Sequence, residues 1–344
     1  MRIPGLNLTP FPPAPDISKS EATLKVAEFL KNGNGKTLIL TGAGVSVDSG
    51  IRAYRGPAGS YKHRPIFYHE LMSNEKFRRR YWARSFLGYP PVRDANPNPI
   101  HYSLEALRRM KVISRIITQN VDGLHRKAFD TSLATFPHHL DQNDLPLMEL
   151  HGTLKHVECV SCLKSIEREP FQDLLKEMNP EWAQHALETA NGKEERLNPD
   201  GDVDLGPNIR YEDFRIPSCP NCDGILKPKV VFFGEPLSEQ IKSLANDWCD
   251  QASQILVIGS SLATFSAYRL VSRIKDNKGQ AGLINIGPSR GDHLMDFRIG
   301  REEGAGEILP EIVRKLAKQD CQSGFEELLA LGRVKTVHDR YTTQ

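Results

Sequence analysis

Short apolar runs recur along the chain, each closed at once by small or polar residues. Leu38 to Leu40 leads into Thr41-Gly42-Ala43-Gly44, Val112 to Thr118 into Gln119-Asn120-Val121-Asp122, and Leu147 to Leu150 into His151-Gly152. Val230 to Phe233 is closed by Gly234-Glu235-Pro236, Gln254 to Ile258 by Gly259-Ser260-Ser261, and Leu283 to Ile286 by Gly287-Pro288. A short run with little polar alternation is how a strand covered on both faces reads. Between these runs the spacing turns helical. Ser18 to Lys31 places Ala22, Val26, Phe29 and Leu30 on one face behind the capping candidates Asp16 and Ser18, and Ile66 to Leu87 is amphipathic. His101 to Met110 and Glu307 to Lys318 follow the same rule. Tyr89 to Pro99 is proline-laden and is expected to be neither regular helix nor central strand. Strand, small turn and helix in alternation predict an α/β fold built on a doubly wound, Rossmann-like parallel sheet. In such sheets ligands bind beyond the carboxyl ends of the strands, where the small and polar closing residues lie.

Other stretches show no period. Gly56 to Pro65 is rich in Gly, Pro and Ser and reads as a mobile loop beside the first glycine turn, where loops often close over ligands. Phe129 to Pro146 reads as an inserted loop, whose His138-His139 pair is more ordinarily an exposed loop feature than a metal site. Phe325 to Gln344 reads as a polar extension.

Length and charge narrow the function classes. At 344 residues the chain has room for about two domains. Lys and Arg total 45 against 43 acidic residues, and a net charge of +2 supplies no broad field for DNA or an anionic membrane. The run Arg78-Arg79-Arg80 reads as the solvated face of a helix. No apolar run reaches membrane-spanning length. Met1 to Ser20 has neither a signal-peptide core nor an Arg-rich amphipathic pattern, so the compartment is not readable there.

Two features carry chemistry. Gly42 and Gly44, flanking one alanine, let the backbone turn sharply and leave N–H groups open to a phosphate. Val47 stands where the dinucleotide fingerprint has its third glycine, so a bare strand-to-helix turn is the competing reading. The second feature is Cys159-Val-Ser-Cys162 with Cys219-Pro-Asn-Cys222, two Cys-x-x-Cys pairs whose four thiolates suit one tetrahedral zinc. Four protein ligands leave no position for water, so the zinc is expected to be structural. The 56 residues between the pairs include Trp182 and the turn-prone Asn198 to Leu205, a surface loop or a lid. Cys249 and Cys321 read as a buried helix thiol and a surface thiol.

Taken together, Gly42-Ala-Gly-Val-Ser46, Thr118-Gln-Asn-Val-Asp-Gly-Leu-His125, Leu150-His-Gly152, the Cys pairs, Val231-Phe-Phe-Gly-Glu235, Gly259-Ser-Ser261 and Asn285-Ile-Gly287 stand in the order found in sirtuins. Over about residues 20 to 318 the chain resembles that family of NAD-dependent protein-lysine deacylases. Tyr81-Trp-Ala-Arg84, Pro199 to Val203 and Lys227 to Gly234 resemble its class II, mitochondrial sirtuin-4 type. The resemblance implies a reaction in which NAD loses nicotinamide and the acyl group of an acyl-lysine protein passes to ADP-ribose. It implies a mitochondrial matrix location, acyl-lysine proteins as partners and no nucleic acid or membrane; the oligomeric state is left open. ADP-ribose transfer to a protein, or a non-enzymatic NAD-binding or zinc-ribbon scaffold, are the alternatives.

The resemblance also distributes roles. His151 would be the base that removes a ribose hydroxyl proton, with Asn120 beside it, since an imidazole titrates near neutrality. Gln119, Asn120, Val121 and Asp122 would meet the nicotinamide ribose and carboxamide. Gly42, Ala43, Gly44, Ser46, Ile51, Tyr54 and Arg55 would wall the cofactor, Gly259, Ser260 and Ser261 would meet phosphate, and Asn285, Ile286, Gly287 and Ala305 the adenosine half. Val231, Phe232, Phe233, Gly234 and Glu235 would pair with substrate peptide as an added strand. Tyr81 and Arg84, three apart, would share a helix face and read an acyl carboxylate, unless they are an ordinary salt-bridged face. Zinc would sit on Cys159, Cys162, Cys219 and Cys222. The expected organisation is a proline-rich lead at 1–19, a Rossmann-like domain of 20–153 and 227–318, a zinc module at 154–226 and an extension at 319–344. Three departures stand out. Arg52 and Ala53 replace the family's usual Pro and Asp, the loop before Pro146 is longer, and Ala305 stands where related chains often carry Cys.

Overall fold

The computed structural model describes residues 12–54, 66–135, 146–190, 211–300, 304–318 and 322–332. Arg55, the loop Gly56 to Pro65, His138-His139, the Asn198 to Leu205 run and Cys321 lie outside the described residues.

Among the described residues nine strands form two sheets. The larger contains β1 (Thr37–Thr41), β2 (Ile113–Thr118), β3 (Leu147–Glu149), β7 (Gln254–Ile258), β8 (Gln280–Ile284) and β9 (Phe297–Ile299) in the order β3-β2-β1-β7-β8-β9. Every pairing in it is parallel. The smaller is antiparallel, with β4 (Gly152–Cys159) between β5 (Ser165–Glu167) and β6 (Leu226–Val230).

The apolar runs explain the layering, because alternate residues of a strand point to opposite faces. Ile39, Leu256 and Ile258 enter one core with α1 (Lys19–Asn32), α4 (Pro99–Arg109), α5 (Leu124–Thr135), α10 (Gly304–Leu316) and α11 (Gln322–Leu331). Leu38, Leu40, Ile255 and Val257 enter the other, with α8 (Glu239–Gln251) and α9 (Phe265–Asp276). Helices on both faces of a parallel sheet make the doubly wound fold that the sequence predicts. Ser18 caps α1 by accepting from Glu21 N–H at 3.1 Å.

A third core belongs to the smaller sheet. It joins α2 (Tyr68–Ser73), α3 (Glu75–Asp94), α6 (Arg168–Met178) and the sheet residues Leu154, Val157 and Leu226, with α7 (Pro180–Ala190) packed against it through Trp182. Among the described residues no helix is long and apolar enough to cross a membrane.

Three expectations need correction. Val230 to Phe233 is not a strand of the large sheet: the strand ends at Val230 and belongs to the small sheet, paired with β4. Its apolar character comes from facing the third core. The large sheet is completed instead by Phe297–Ile299, too short and too mixed to stand out in the sequence. The proline-laden segment is helical to Asp94, through Pro90 and Pro91. Proline removes an N–H and orphans the carbonyl four residues back; here the Phe86 carbonyl accepts from Gln172 Nε2 at 2.8 Å, so α6 supplies the missing donor. The C-terminal extension is not polar throughout, since α11 buries Phe325, Leu328 and Leu329 at helical spacing against the first core.

Candidate active site

Strand register sets one line of residues at the carboxyl edge. Thr41 is level with Thr118 and Ile258, Thr118 with Glu149, and Ile284 with Ile258 and Ile299. The residues that follow, Gly42, Gln119, Leu150-His151, Gly259 and Asn285, therefore leave the sheet together. From β1 the chain winds outward to β2 on one side and β7 on the other, so the edge beyond β1 and β7 is the switch point at which open α/β sheets bind ligands.

At that point two turns touch backbone to backbone. Gly44 N–H donates to Gly259 carbonyl oxygen at 2.9 Å, and Gly42 N–H to that of Ile258 at 3.1 Å. A Cβ on Gly44 would lie 2.8 Å from Gly259 Cα, and one on Gly42 2.7 Å from Ser260 Cβ. Gly259 itself holds φ at +61°. The glycines are thus required for close approach. Their N–H groups are spent on the neighbouring turn, which corrects the expectation that Gly42 and Gly44 present them to phosphate.

Polar side chains knit the neighbouring ends together. Gln119 Nε2 donates to Thr41 carbonyl oxygen at 3.1 Å and to Ser260 Oγ at 2.7 Å. Asn120 Nδ2 donates to Gly42 carbonyl oxygen and to Ser46 Oγ, both at 3.1 Å, and Ser46 Oγ donates to Asp122 Oδ2 at 2.8 Å. Asp122 Oδ1 accepts from Leu124 N–H at 2.9 Å. Burial pushes the Asp122 carboxyl up, against those hydrogen bonds.

His151 occupies the joint between the sheets. Leu150 N–H still bonds Thr118 in the large sheet, while His151 carbonyl oxygen accepts from Val231 N–H, both at 2.8 Å. Gly152 turns the chain there at φ +83°, where a Cβ would sit 2.1 Å from Lys229 carbonyl oxygen. The ring is only 6 % exposed. Nδ1 is 3.1 Å from Gln119 carbonyl oxygen, which can only accept, so Nδ1 carries the proton; Nε2, 2.9 Å from Ser266 Oγ, then accepts from that hydroxyl. Burial lowers the imidazole to about 4, opposed by the Gln119 bond. The ring is neutral at physiological pH with its basic lone pair on Nε2.

Of the remaining residues, Val121 and Ile51 are buried in the third core, and Ser261 accepts Arg290 N–H at 2.9 Å. Asn285 Nδ2 donates to the carbonyls of Ile286 and Gly287 at the end of β8, and Ala305 lies in the first turn of α10. Tyr54 is half-buried. Val231 to Glu235 is held in shape by Glu235 Oε2 accepting from Phe232 N–H at 2.8 Å and by buried Lys227, which reaches Glu235 at 3.2 Å. Phe233 bridges Phe67, and Tyr81, only 3 % exposed, packs its ring 5.4 Å from that of Phe232.

Two positions were not visible in the sequence. Ser266 had no local signal. Asn98 caps α4 and donates to Val45 carbonyl oxygen at 2.7 Å, fixing the turn that carries Ser46; an Asn before Pro99 is a helix-start signature that could have found it.

The four cysteines form a separate centre. Their sulfurs lie within 4.8 Å of one another, with Cys159–Cys222 at 3.5 Å and Cys162–Cys219 at 3.7 Å. Zinc–sulfur bonds of ~2.3 Å in a tetrahedron put sulfurs ~3.8 Å apart, so the set fits zinc. Two matching turns build it: Cys159 N–H bonds Lys164 and Cys219 N–H bonds Gly224, each at 3.0 Å.

The Sir2 family profile matches residues 42–266, from the glycine turn to Ser266. The chain belongs to the Sir2 family. A sirtuin of Batrachochytrium dendrobatidis named an NAD-dependent protein deacylase is 41% identical over 85% of this chain and 93% of its own. The Bos taurus NAD-dependent protein lipoamidase sirtuin-4, mitochondrial, is 34% identical over 91% of each chain. A solved Sir2 homologue in complex with ADP-ribose superposes with a TM-score of 0.60 at 26% identity, covering 84% of this chain and 95% of that one.

Proposed function

We propose that this sirtuin is an NAD-dependent protein-lysine deacylase, passing the acyl group of acyl-lysine to ADP-ribose and releasing nicotinamide. The observation that carries this reading is His151, a neutral imidazole with its basic Nε2 at the joint of the two sheets, beside the polar ends of β1, β2 and β7. The crevice lies at the switch point, where Gly42, Gly44 and Gly259 let the β1 and β7 turns meet backbone to backbone and where the polar ends of Gln119, Asn120 and Ser260 gather.

Bound NAD would supply an activated ribose carbon and a nicotinamide leaving group. His151 would accept a ribose hydroxyl proton at Nε2, which Gln119 carbonyl oxygen leaves basic by holding the ring proton on Nδ1. Asn120 and Asp122 would orient the ribose and carboxamide; Gly42, Ala43, Gly44, Ser46, Ile51, Tyr54 and Arg55 would hold the cofactor. Ser260, Ser261, Asn285 to Gly287 and Ala305 extend the site toward the adenosine end. Val231 to Glu235 aligns substrate backbone. Zinc on the four cysteines holds the small sheet.

The test is incubation with NAD and an acyl-lysine peptide. Nicotinamide with O-acyl-ADP-ribose is expected. Labelled protein without deacylated peptide would assign ADP-ribosyl transfer instead, and no nicotinamide at all would leave a scaffold.

Substrate choice is read by Tyr81, whose ring packs on Phe232, and by Arg84, three residues on along α3. On acetyl, succinyl, glutaryl and lipoyl peptides, Arg84→Met should lose acidic-acyl turnover selectively; unchanged acidic-acyl activity refutes that role. The mitochondrial name of the bovine relative supports a matrix location, which organelle fractionation tests.

A further inference from the structure

Lys227, on β6 of the small sheet, is a buried lysine. An ammonium withdrawn from water needs acceptors for its protons and a charge to balance it. Two parts of the chain supply them. Across the ladder, Glu158 is its register partner on β4, with a carboxylate oxygen 3.9 Å from Nζ. Further along its own strand, Nζ donates to Val230 carbonyl oxygen at 3.0 Å and reaches Glu235 Oε1 at 3.2 Å, while the Phe232 ring centroid lies 5.8 Å away. The chain from Val230 to Glu235 therefore arches around one positive charge.

The two halves of that arch are held differently. Backbone fixes the first: Val231 N–H donates to His151 carbonyl oxygen, and Phe233 carbonyl oxygen accepts from Tyr68 N–H, both at 2.8 Å. The second half turns back at Gly234, whose φ is +86°, and Glu235 N–H returns to Phe232 carbonyl oxygen at 3.0 Å. The Glu235 carboxylate closes this turn. Oε2 accepts from Phe232 N–H at 2.8 Å and Oε1 faces the ammonium, so one group fastens backbone with one oxygen and Lys227 with the other. With the ammonium removed, Glu235 and Glu158 would lose the cation they share, and two carboxylates drawn to one place repel.

We infer that Lys227 is a positioning residue for the substrate peptide: its ammonium sets Val231 to Glu235 in the shape that receives peptide backbone, so that its loss weakens peptide binding and spares NAD binding. The role rests on the deacylase reading, with Val231 to Glu235 as the peptide strand. An edge already in shape spares the complex the cost of ordering it when the peptide arrives. Lys227 belongs to the small sheet, whereas Gly42, Gln119 and Gly259 follow strands of the large one, which separates the two affinities.

Steady-state kinetics of the full zinc-loaded chain test it, with whichever of the acetyl, succinyl, glutaryl and lipoyl peptides the parent turns over best. In Lys227→Met the KM for peptide should rise at least ~10-fold, while the KM for NAD and kcat at saturating peptide stay within ~3-fold of the parent. Glu235→Gln guards against a folding defect in that variant: the amide oxygen still accepts from Phe232 N–H, and only the charge facing Lys227 is lost. The same split, smaller in size, is expected there. A peptide KM that stays put in Glu235→Gln and in folded Lys227→Met, or that moves no more than the KM for NAD and kcat, overturns the role and leaves the deacylase reading standing. A parent chain that releases no nicotinamide with any of the four peptides overturns that reading, and the positioning role with it.

Discussion

Ser266 Oγ stands 2.9 Å from His151 Nε2, although the two residues are 115 positions apart, one opening α9 and the other closing β3. A donated hydroxyl proton and burial both oppose protonation of the ring. Because its folded value is depressed to about 4 from the ordinary 6.5, the stability His151 contributes is present above pH 6.5 and lost as pH falls toward 4. His151→Ala should cut kcat by ~10²- to 10⁴-fold without loss of fold. Ser266→Ala should lower kcat less, and should move the acid limb of kcat/KM to higher pH. An unshifted acid limb in Ser266→Ala would leave Ser266 no part in tuning the base.

Gly44→Ala tests the contact between turns. The added Cβ meets Gly259 Cα at 2.8 Å and its carbonyl oxygen at 2.9 Å, backbone atoms that cannot swing aside. A cost of ~1–3 kcal/mol is expected, as for overpacking elsewhere, together with weakened NAD binding. Thermal unfolding and NAD titration measure the two; unchanged values in both would mean that the turns can separate freely.

The carboxyl-edge site was legible because each of its parts closes an apolar run: Gly42 after β1, Gln119 after β2, His151 after β3 and Gly259 after β7. Local pattern carries that much. What joins the parts is non-local. Ser266 reaches His151 only once α9 packs on the sheet, and the helix through Pro90 and Pro91 survives because Gln172, 86 residues beyond Phe86, replaces a backbone donor. A proline rule applied to the segment alone predicts a break, since that donor belongs to another helix. Val230 to Phe233 misled for a similar reason: an apolar run does not say which core it faces.

Cys219→Ser should release the zinc, since three sulfurs and a hydroxyl no longer match the donor set of a structural site. Structural zinc contributes on the order of 10 kcal/mol to folding, and the third core contains both Cys159 and Cys219 beside Trp82, Phe171 and Leu226. Loss of metal, seen by atomic absorption, should therefore come with loss of the near-ultraviolet signal of Trp82 and with lowered deacylation, because Val231 to Glu235 continues from β6 of the same sheet. Full activity after metal loss would show that the zinc centre is dispensable for the cleft.

Glu149 sits at the end of β3, two residues before His151, with its carboxyl raised to about 7 by burial and by Asp122, against Lys155, Arg126 and Thr153. A raised acid binds its proton more tightly folded than unfolded. Its favourable contribution is thus complete below about pH 4.5 and lost as pH rises through about 7. Glu149→Gln keeps the shape and removes the titration. Relative to the parent chain, the variant should gain stability between pH ~5 and pH ~8.5, by at most ~3 kcal/mol, in urea unfolding series at each pH. Because each pH has its own parent reference, other titrating groups cancel to first order and the growing difference belongs to position 149. A difference that stays constant with pH would show that Glu149 ionises freely in the folded chain, and that water reaches the end of β3.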